Sequence, residues 1–217
     1  MQPAPTVVVL AAGRGSRFDG GVEGKLGQPL DGSTVLGTTL AGAIASRLHV
    51  VVVTTSRFAA LVRESVAARD VVVLPEAALP QDAGPEPGMG RSIAAGVEAS
   101  PGASGWLVLP GDMPRVGIAT LLAVARAIEH HPVAFAQHAG RRGHPVGFAA
   151  PLYQELAGLR GDEGARRIIA RYPAVGVEVD DPGIHVDIDT LADLTALTAL
   201  GGPDHRLARA TAYDSTF

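Results

Sequence analysis

This sequence predicts an α/β protein whose largely parallel sheet is covered by helices on both faces, and three observations lead there. Short unbroken apolar runs, Val7-Val8-Val9-Leu10 and Val50-Val51-Val52-Val53 being the clearest, read as strands buried on both faces. Between such runs, apolar residues recur at helical spacing. The two patterns alternate almost to the end of the chain, the order expected of strand–helix–strand units.

Taken in order, Val7–Leu10 is the first strand and is followed by a glycine-rich loop running to Lys25. Val35, Leu36, Thr39, Leu40, Ala43 and Ile44 then mark a helix, with Ser33 or Thr34 suited to cap it. Leu48–Val53 is a second strand, Phe58, Leu61, Val62 and Val66 a second helix, and Val71–Leu74 a third strand. Glu76–Gly90, rich in Pro and Gly, reads as a loop of the long kind that is usually either functional or disordered. A helix from Ser92 to Ala99, the strand Trp106–Leu109 and a helix carrying Ile118, Leu121, Leu122, Ala125 and Ile128 come next. Val133–His138 and His144–Ala149 read as a hairpin turning through Ala139-Gly140-Arg141-Arg142-Gly143, so part of the sheet is expected to be antiparallel. Ala165, Ile168, Ile169 and Tyr172 define another helix, Val175–Val179 a last strand, and Leu191–Leu200 a final helix.

With 217 residues, no internal repeat and no linker, the chain reads as a single domain over residues 1–200, with a tail at 201–217. The 47% hydrophobic and 18% charged residues exclude a disordered protein. A net charge of −4 argues against binding nucleic acid through a global basic field. No cysteine is present, so disulfides and thiolate metal sites are excluded, which fits a cytoplasmic protein. The N-terminal apolar run is too short for a signal-peptide core or a membrane span.

The chemistry is expected where ligands bind in open α/β sheets, outside the carboxyl ends of the strands. The first such place is Ala11-Ala12-Gly13-Arg14-Gly15-Ser16-Arg17 and on to Lys25. Gly13 and Gly15 let backbone approach a ligand closely, while Arg14, Arg17 and Lys25 put positive charge beside exposed N–H groups. That combination suits a polyphosphate. It is not a Walker loop, because Leu26 follows Lys25, and not a dinucleotide fingerprint, because Phe18 stands at the third glycine position.

Pro110-Gly111-Asp112-Met113-Pro114 follows a buried strand and holds an acid at a rigid turn. Asp112, paired with Asp187 from His185-Val186-Asp187-Ile188-Asp189-Thr190, makes a carboxylate pair suited to Mg²⁺, which takes one or two carboxylates plus phosphate oxygens and water. Of Asp187 and Asp189, the former is the expected ligand and the latter a helix cap. Gly88-Met89-Gly90-Arg91-Ser92 opens a helix toward a ligand, although Ser92 also suits a simple cap. His144, beside Pro145, is read as structural rather than as a base.

These blocks together resemble a family. Leu10-Ala11-Ala12-Gly13 with Gly15-Ser16-Arg17 and Lys25 looks like the start of the GT-A-like NTP transferases. Gly88-Met89 with Ser92 and Gly96, Gly111-Asp112-Met113-Pro114, Arg142-Gly143-His144-Pro145, Gly161-Asp162-Glu163-Gly164-Ala165-Arg166 and Asp187-Ile188-Asp189-Thr190 follow in order. The set is similar to the MobA-like NTP transferases, nearest to the molybdenum-cofactor cytidylyltransferase branch, over residues 6–198.

The resemblance implies a three-layer α/β/α sandwich of the nucleotide-diphospho-sugar transferase, Rossmann-like kind. It implies Mg²⁺-dependent transfer of a nucleoside monophosphate, CMP from CTP favoured, to a phosphorylated acceptor such as molybdopterin, with release of pyrophosphate. Carried over by position, Leu10, Ala11, Ala12, Gly13, Arg14, Gly15, Ser16, Met89 and Ser92 bind the nucleotide, Arg17 and Lys25 hold the triphosphate, and Asp112 and Asp187 bind metal. Lys25, Arg17 and Asp112 are then the catalytic set. Ala12, where guanylyl-transferring relatives tend to carry Gly, favours cytosine. The implied partners are an NTP, the small-molecule acceptor and a molybdoenzyme or its chaperone, with no nucleic acid or membrane. The loop between Arg17 and Lys25 is longer than the family pattern and holds Asp19 and Glu23. That departure favours an alternative in which an accessory protein binds nucleotide without turnover; guanylyl transfer and another cytidylyl acceptor are separate alternatives of the same fold.

Overall fold

A computed structural model describes residues 4–13, 24–75, 88–161 and 164–199. Arg14, Gly15, Ser16 and Arg17, the acids Asp162 and Glu163, and the tail at 201–217 lie outside the described residues.

The elements run β1 (Thr6–Ala11), α1 (Gly24–Gly27), β2 (Pro29–Leu30), β3 (Ser33–Thr34), α2 (Val35–Ala45), β4 (His49–Thr55), α3 (Ser56–Arg63) and β5 (Val71–Leu74). They continue with α4 (Met89–Glu98), β6 (Gly105–Pro110), α5 (Ile118–Ala127), β7 (Val133–His138), β8 (Arg141–Ala149), α6 (Tyr153–Ala157), α7 (Arg166–Arg171), β9 (Ala174–Glu178) and α8 (Leu191–Ala199). Seven strands form one sheet in the order β5-β4-β1-β6-β8-β7-β9. β1 is parallel to both β4 and β6, with Val8 opposite Val51 on one side and Val108 on the other. β8 alone is reversed, antiparallel to β6 and to β7, while β7 and β9 are again parallel. The mixed, mostly parallel sheet follows the sequence expectation.

Alternation along the strands feeds two apolar layers. Val7, Val9, Val50, Val52, Leu107 and Leu109 point to one face, where Leu36 and Leu40 of α2, Val62 of α3 and Leu121 and Val124 of α5 close over them. Val8, Val53, Trp106 and Val108 point to the other, under Ile93 and Val97 of α4, Leu156 of α6 and Ile168 of α7. Gly96 is what lets α4 lie on the sheet: a Cβ there would sit 2.2 Å from Val8 Cγ1. Thr34 caps α2 by accepting from the Gly37 N–H at 3.0 Å.

Three local expectations need correction. The hairpin turn is only Ala139-Gly140, at φ 50° and 74°, so β8 begins at Arg141 rather than His144. Two consecutive left-handed residues make a tight turn matched to strand twist, which a five-residue loop reading overlooks. The helix expected from Ser92 begins at Met89, with Gly88 as its cap residue. Ser92 is buried inside it, its N–H bonded to Gly88 O at 3.2 Å, so it is no cap. The final helix is capped not by Asp189 but by Thr190. Asp193 accepts from the Thr190 N–H at 2.7 Å, and the Asp193 N–H donates to Thr190 Oγ1 at 3.2 Å, a reciprocal capping box. Among the described residues, no helix is long and apolar enough to cross a membrane.

Candidate functional site

The parallel strands β1, β4 and β6 all end at one rim, and β8, being reversed, begins there. Asp112 stands at that rim on a turn pinned from three sides. The Gly111 N–H donates to Leu10 O at 2.8 Å, and Thr39 Oγ1 donates to Gly111 O at 2.9 Å. A Cβ on Gly111 would lie 3.0 Å from Leu10 O, so glycine permits this close joining of β1 and β6. Downstream, the Ile188 N–H donates to Asp112 O at 3.2 Å. Ile188 and Met113 are both buried, and together they anchor the segment 186–190 against the Asp112 turn.

Lys25 arrives from the opposite direction. It sits in the short helix α1, which starts at Gly24 with φ 57° and is held by buried Leu26. Its ammonium forms an ion pair with Asp112 and a second, at 2.9 Å, with Asp189 Oδ1. Burial of the Lys25 amine pulls its pKa down, but the bonds and charges of Asp112 and Asp189 outweigh that, and the net direction is up. The lysine is therefore charged at any physiological pH.

Asp187 is exposed, and together with Asp112 it acts on His144 within β8. The His144 residue keeps some surface, but its Nδ1 is sealed and has no hydrogen-bond partner among the described residues. Burial pushes the imidazole pKa down, opposed by the Val108 carbonyl and by the charges of Asp112 and Asp187. The rim thus brings together carboxylates from two segments, a lysine and a histidine. Among the described residues no group of three or more acids and histidines is arranged as a metal cage. The donors instead form an oxygen set that already surrounds a positive charge, which is the chemistry a hard divalent cation with phosphate and water ligands requires.

The remaining expected residues distribute as follows. Ala11 is 1% exposed and packs in the core at the end of β1. Leu10 and Ala12 are half-buried and Gly13 is exposed. Met89 is 54% exposed at the start of α4, and Ser92 lies beneath, buried in the helix. The N-terminus of α4 is fastened to the loop before α7: the Gly90 N–H donates to Gly161 O at 2.9 Å. A Cβ on Gly90 would meet Arg160 O at 2.8 Å, and one on Gly164 would meet Met89 Sδ at 3.0 Å. Arg141 and Arg142 project from the exposed hairpin, Arg142 stacked over the Phe135 ring at 4.4 Å. Sequence reasoning missed Asp189 as a partner of Lys25. The signal available was the Asp187-Ile188-Asp189 alternation, which puts two acids on one side of a buried isoleucine.

Known proteins are similar to this chain in sequence and fold. The purine catabolism protein PucB of Bacillus subtilis (strain 168) is 34% identical over 199 residues, covering 84% of this chain and 90% of that protein. The crystal structure of Rv0371c from Mycobacterium tuberculosis H37Rv superposes with a TM-score of 0.73 at 29% identity, over 90% of this chain and 98% of that one. The same protein in complex with manganese superposes at 0.68, with 28% identity, over 91% and 98% of the two chains. A nucleotidyl transferase from Methanothermobacter thermautotroptrophicus, Mth528, does so at 0.68 with 29% identity, over 91% and 97%. Residues 7–175 match the MobA-like NTP transferase domain. With that match across β1 to β9 and the rim just described, the chain belongs to the MobA-like NTP transferase family and is a nucleotidyltransferase.

Proposed function

We propose that the protein transfers a nucleoside monophosphate, CMP from CTP in preference, to a phosphorylated small-molecule acceptor of the molybdopterin kind, releasing pyrophosphate. The observation that carries this reading is the meeting of Lys25 with Asp112 and Asp189 at the strand-end rim. Mg²⁺ is the proposed metal, held by Asp112 and Asp187, and the manganese complex of Rv0371c supports a divalent cation in this family. When bound, the cation supplies positive charge at the phosphates.

The chain's own residues do the rest. An acceptor phosphate oxygen forms a bond to the α-phosphorus as the bond to the bridging oxygen breaks, and pyrophosphate leaves with the electron pair. Charge grows on the α-oxygens and the leaving group, and Lys25 and Arg17 are the proposed counter-charges. Rigid support of Asp112 by Gly111, Thr39 and Ile188 serves alignment, the other main source of rate in such a transfer. The nucleotide contacts proposed are Leu10, Ala11, Ala12, Gly13, Arg14, Gly15, Ser16, Met89 and Ser92. Ala12 supports cytosine. A molybdoenzyme or its chaperone is the proposed receiver of the product, and the cytoplasm, where NTP is abundant, the proposed compartment.

The test is pyrophosphate release by the purified protein with Mg²⁺, reduced molybdopterin and each of CTP, GTP, ATP and UTP in turn. CTP is expected to be the fastest. Fastest release with GTP would reassign the base, and nucleotide binding without release for any acceptor would replace transfer by an accessory role.

A further inference from the structure

The strongest feature left unexplained is the double engagement of Lys25. A lysine expected to grip a triphosphate instead has its ammonium between Asp112 and Asp189, one of them an expected metal ligand. We propose that Lys25 is a built-in counter-cation, which a divalent metal must displace from Asp112, so that metal and nucleotide enter the site together. This inference rests on the reading of the rim as a metal–nucleotide site.

The argument is one of charge and reach. Asp112 is only 14% exposed on its side chain, and Lys25 17%, so their attraction is less screened than a surface pair's. A carboxylate already neutralised by an ammonium offers a metal ion little, and a dication arriving beside that ammonium is repelled by it. Free metal therefore binds weakly. A triphosphate changes the balance, because it brings acceptor oxygens for both cations. Four methylenes let the Lys25 ammonium move off Asp112 without movement of α1. Asp189, 38% exposed on its side chain, is placed to keep hold of the ammonium while Asp112 is vacated. Asp189 acts here as a positioning residue, steering the lysine between two stations.

The experiment is titration of Mn²⁺, followed by the electron paramagnetic resonance signal of the free ion, with and without the non-transferable analogue α,β-methylene-CTP. Wild type is expected to bind Mn²⁺ weakly alone and strongly with the analogue. Lys25→Met is expected to bind Mn²⁺ alone at least about tenfold more tightly than wild type, the gain from removing a like charge a few ångström away. Its analogue-dependent enhancement should fall correspondingly. Lys25→Arg, which keeps the charge, should keep the weak binding. Should Lys25→Met fail to fold, Lys25→Gln reports the same quantity. Unchanged or weaker Mn²⁺ binding by the neutral variants overturns the displacement, while loss of analogue-supported Mn²⁺ binding in Asp112→Asn leaves the site reading standing. If Asp112→Asn keeps that binding, the site reading falls and the inference with it.

Discussion

Lys25 and Asp189 are 164 positions apart in the chain, yet Lys25 Nζ donates to Asp189 Oδ1 at 2.9 Å. That bond closes a ring from the strand-β1 end of the molecule to the segment before α8. It requires α1 and the 186–190 segment to meet at the Asp112 turn, to which Ile188 is bonded.

Removing either side of the principal ion pair should slow turnover sharply without unfolding the protein. Lys25→Ala and Asp112→Ala are each expected to lower the rate of pyrophosphate release about 10²- to 10³-fold, the usual scale for one electrostatic contact to a developing charge. Steady-state assays, with circular dichroism to show retained structure, measure this. Wild-type rates in both variants would remove these residues from the chemistry.

The depressed pKa of His144 links stability to pH. The unfolded imidazole takes up a proton near pH 6.5, the folded one only at lower pH. Between those points the unfolded state binds more protons, so stability falls as pH drops through and below about 6.5, and is fully present above it. Urea unfolding of wild type from pH 7.5 to 5 should show this loss, and His144→Asn should show less of it. An equal slope in both proteins would assign the effect elsewhere.

Gly90 is placed where any side chain strikes backbone, 2.8 Å from Arg160 O. Gly90→Ala should push the start of α4 away from the 160–161 loop and destabilise the protein by about 1–3 kcal/mol, the range for overpacking. Because Met89 moves with it, the KM for the nucleotide should rise more than kcat falls. A variant with native KM would separate this contact from nucleotide binding.

Asp181 is a purely architectural counterpart. Buried at 8% exposure, it accepts from the Gly117 N–H at 2.8 Å, Thr120 Oγ1 at 2.6 Å and the Gly183 N–H at 3.0 Å. Asp181→Ala strands those donors, and each buried unsatisfied group costs about 1–3 kcal/mol. Chemical denaturation should show one of the larger losses of any single substitution. A midpoint unchanged from wild type would show that water replaces the carboxylate.

Much of this was readable from local pattern, and what was not has a physical reason. The runs Val7–Leu10, Val50–Val53 and Trp106–Leu109 read as strands because they are short, continuously apolar and mostly β-branched, as a doubly covered sheet requires. Placing Lys25 and Asp112 after strand ends put them on one rim before any coordinates. The choice of Asp187 over Asp189 for metal carried with it the expectation that Asp189 caps a helix. Thr190 and Asp193 do that instead, and Asp189 is paired with Lys25. No local rule connects positions 25 and 189; only the tertiary fold does. The two-residue Ala139-Gly140 turn was missed because Arg141 and Arg142 look like loop residues, whereas they are strand residues facing water.

Strand β8 runs against its neighbours, and this has a consequence for how such a catalyst can diversify. The hairpin that overlooks the rim grows or shrinks at Ala139-Gly140, a solvent-facing bend whose length is independent of the β1–β6 seam. Changes there would remodel the surface around His138 and Arg141 while leaving the Lys25–Asp112–Asp189 cluster intact. One inverted strand thereby gives the rim a margin that can vary without disturbing its centre.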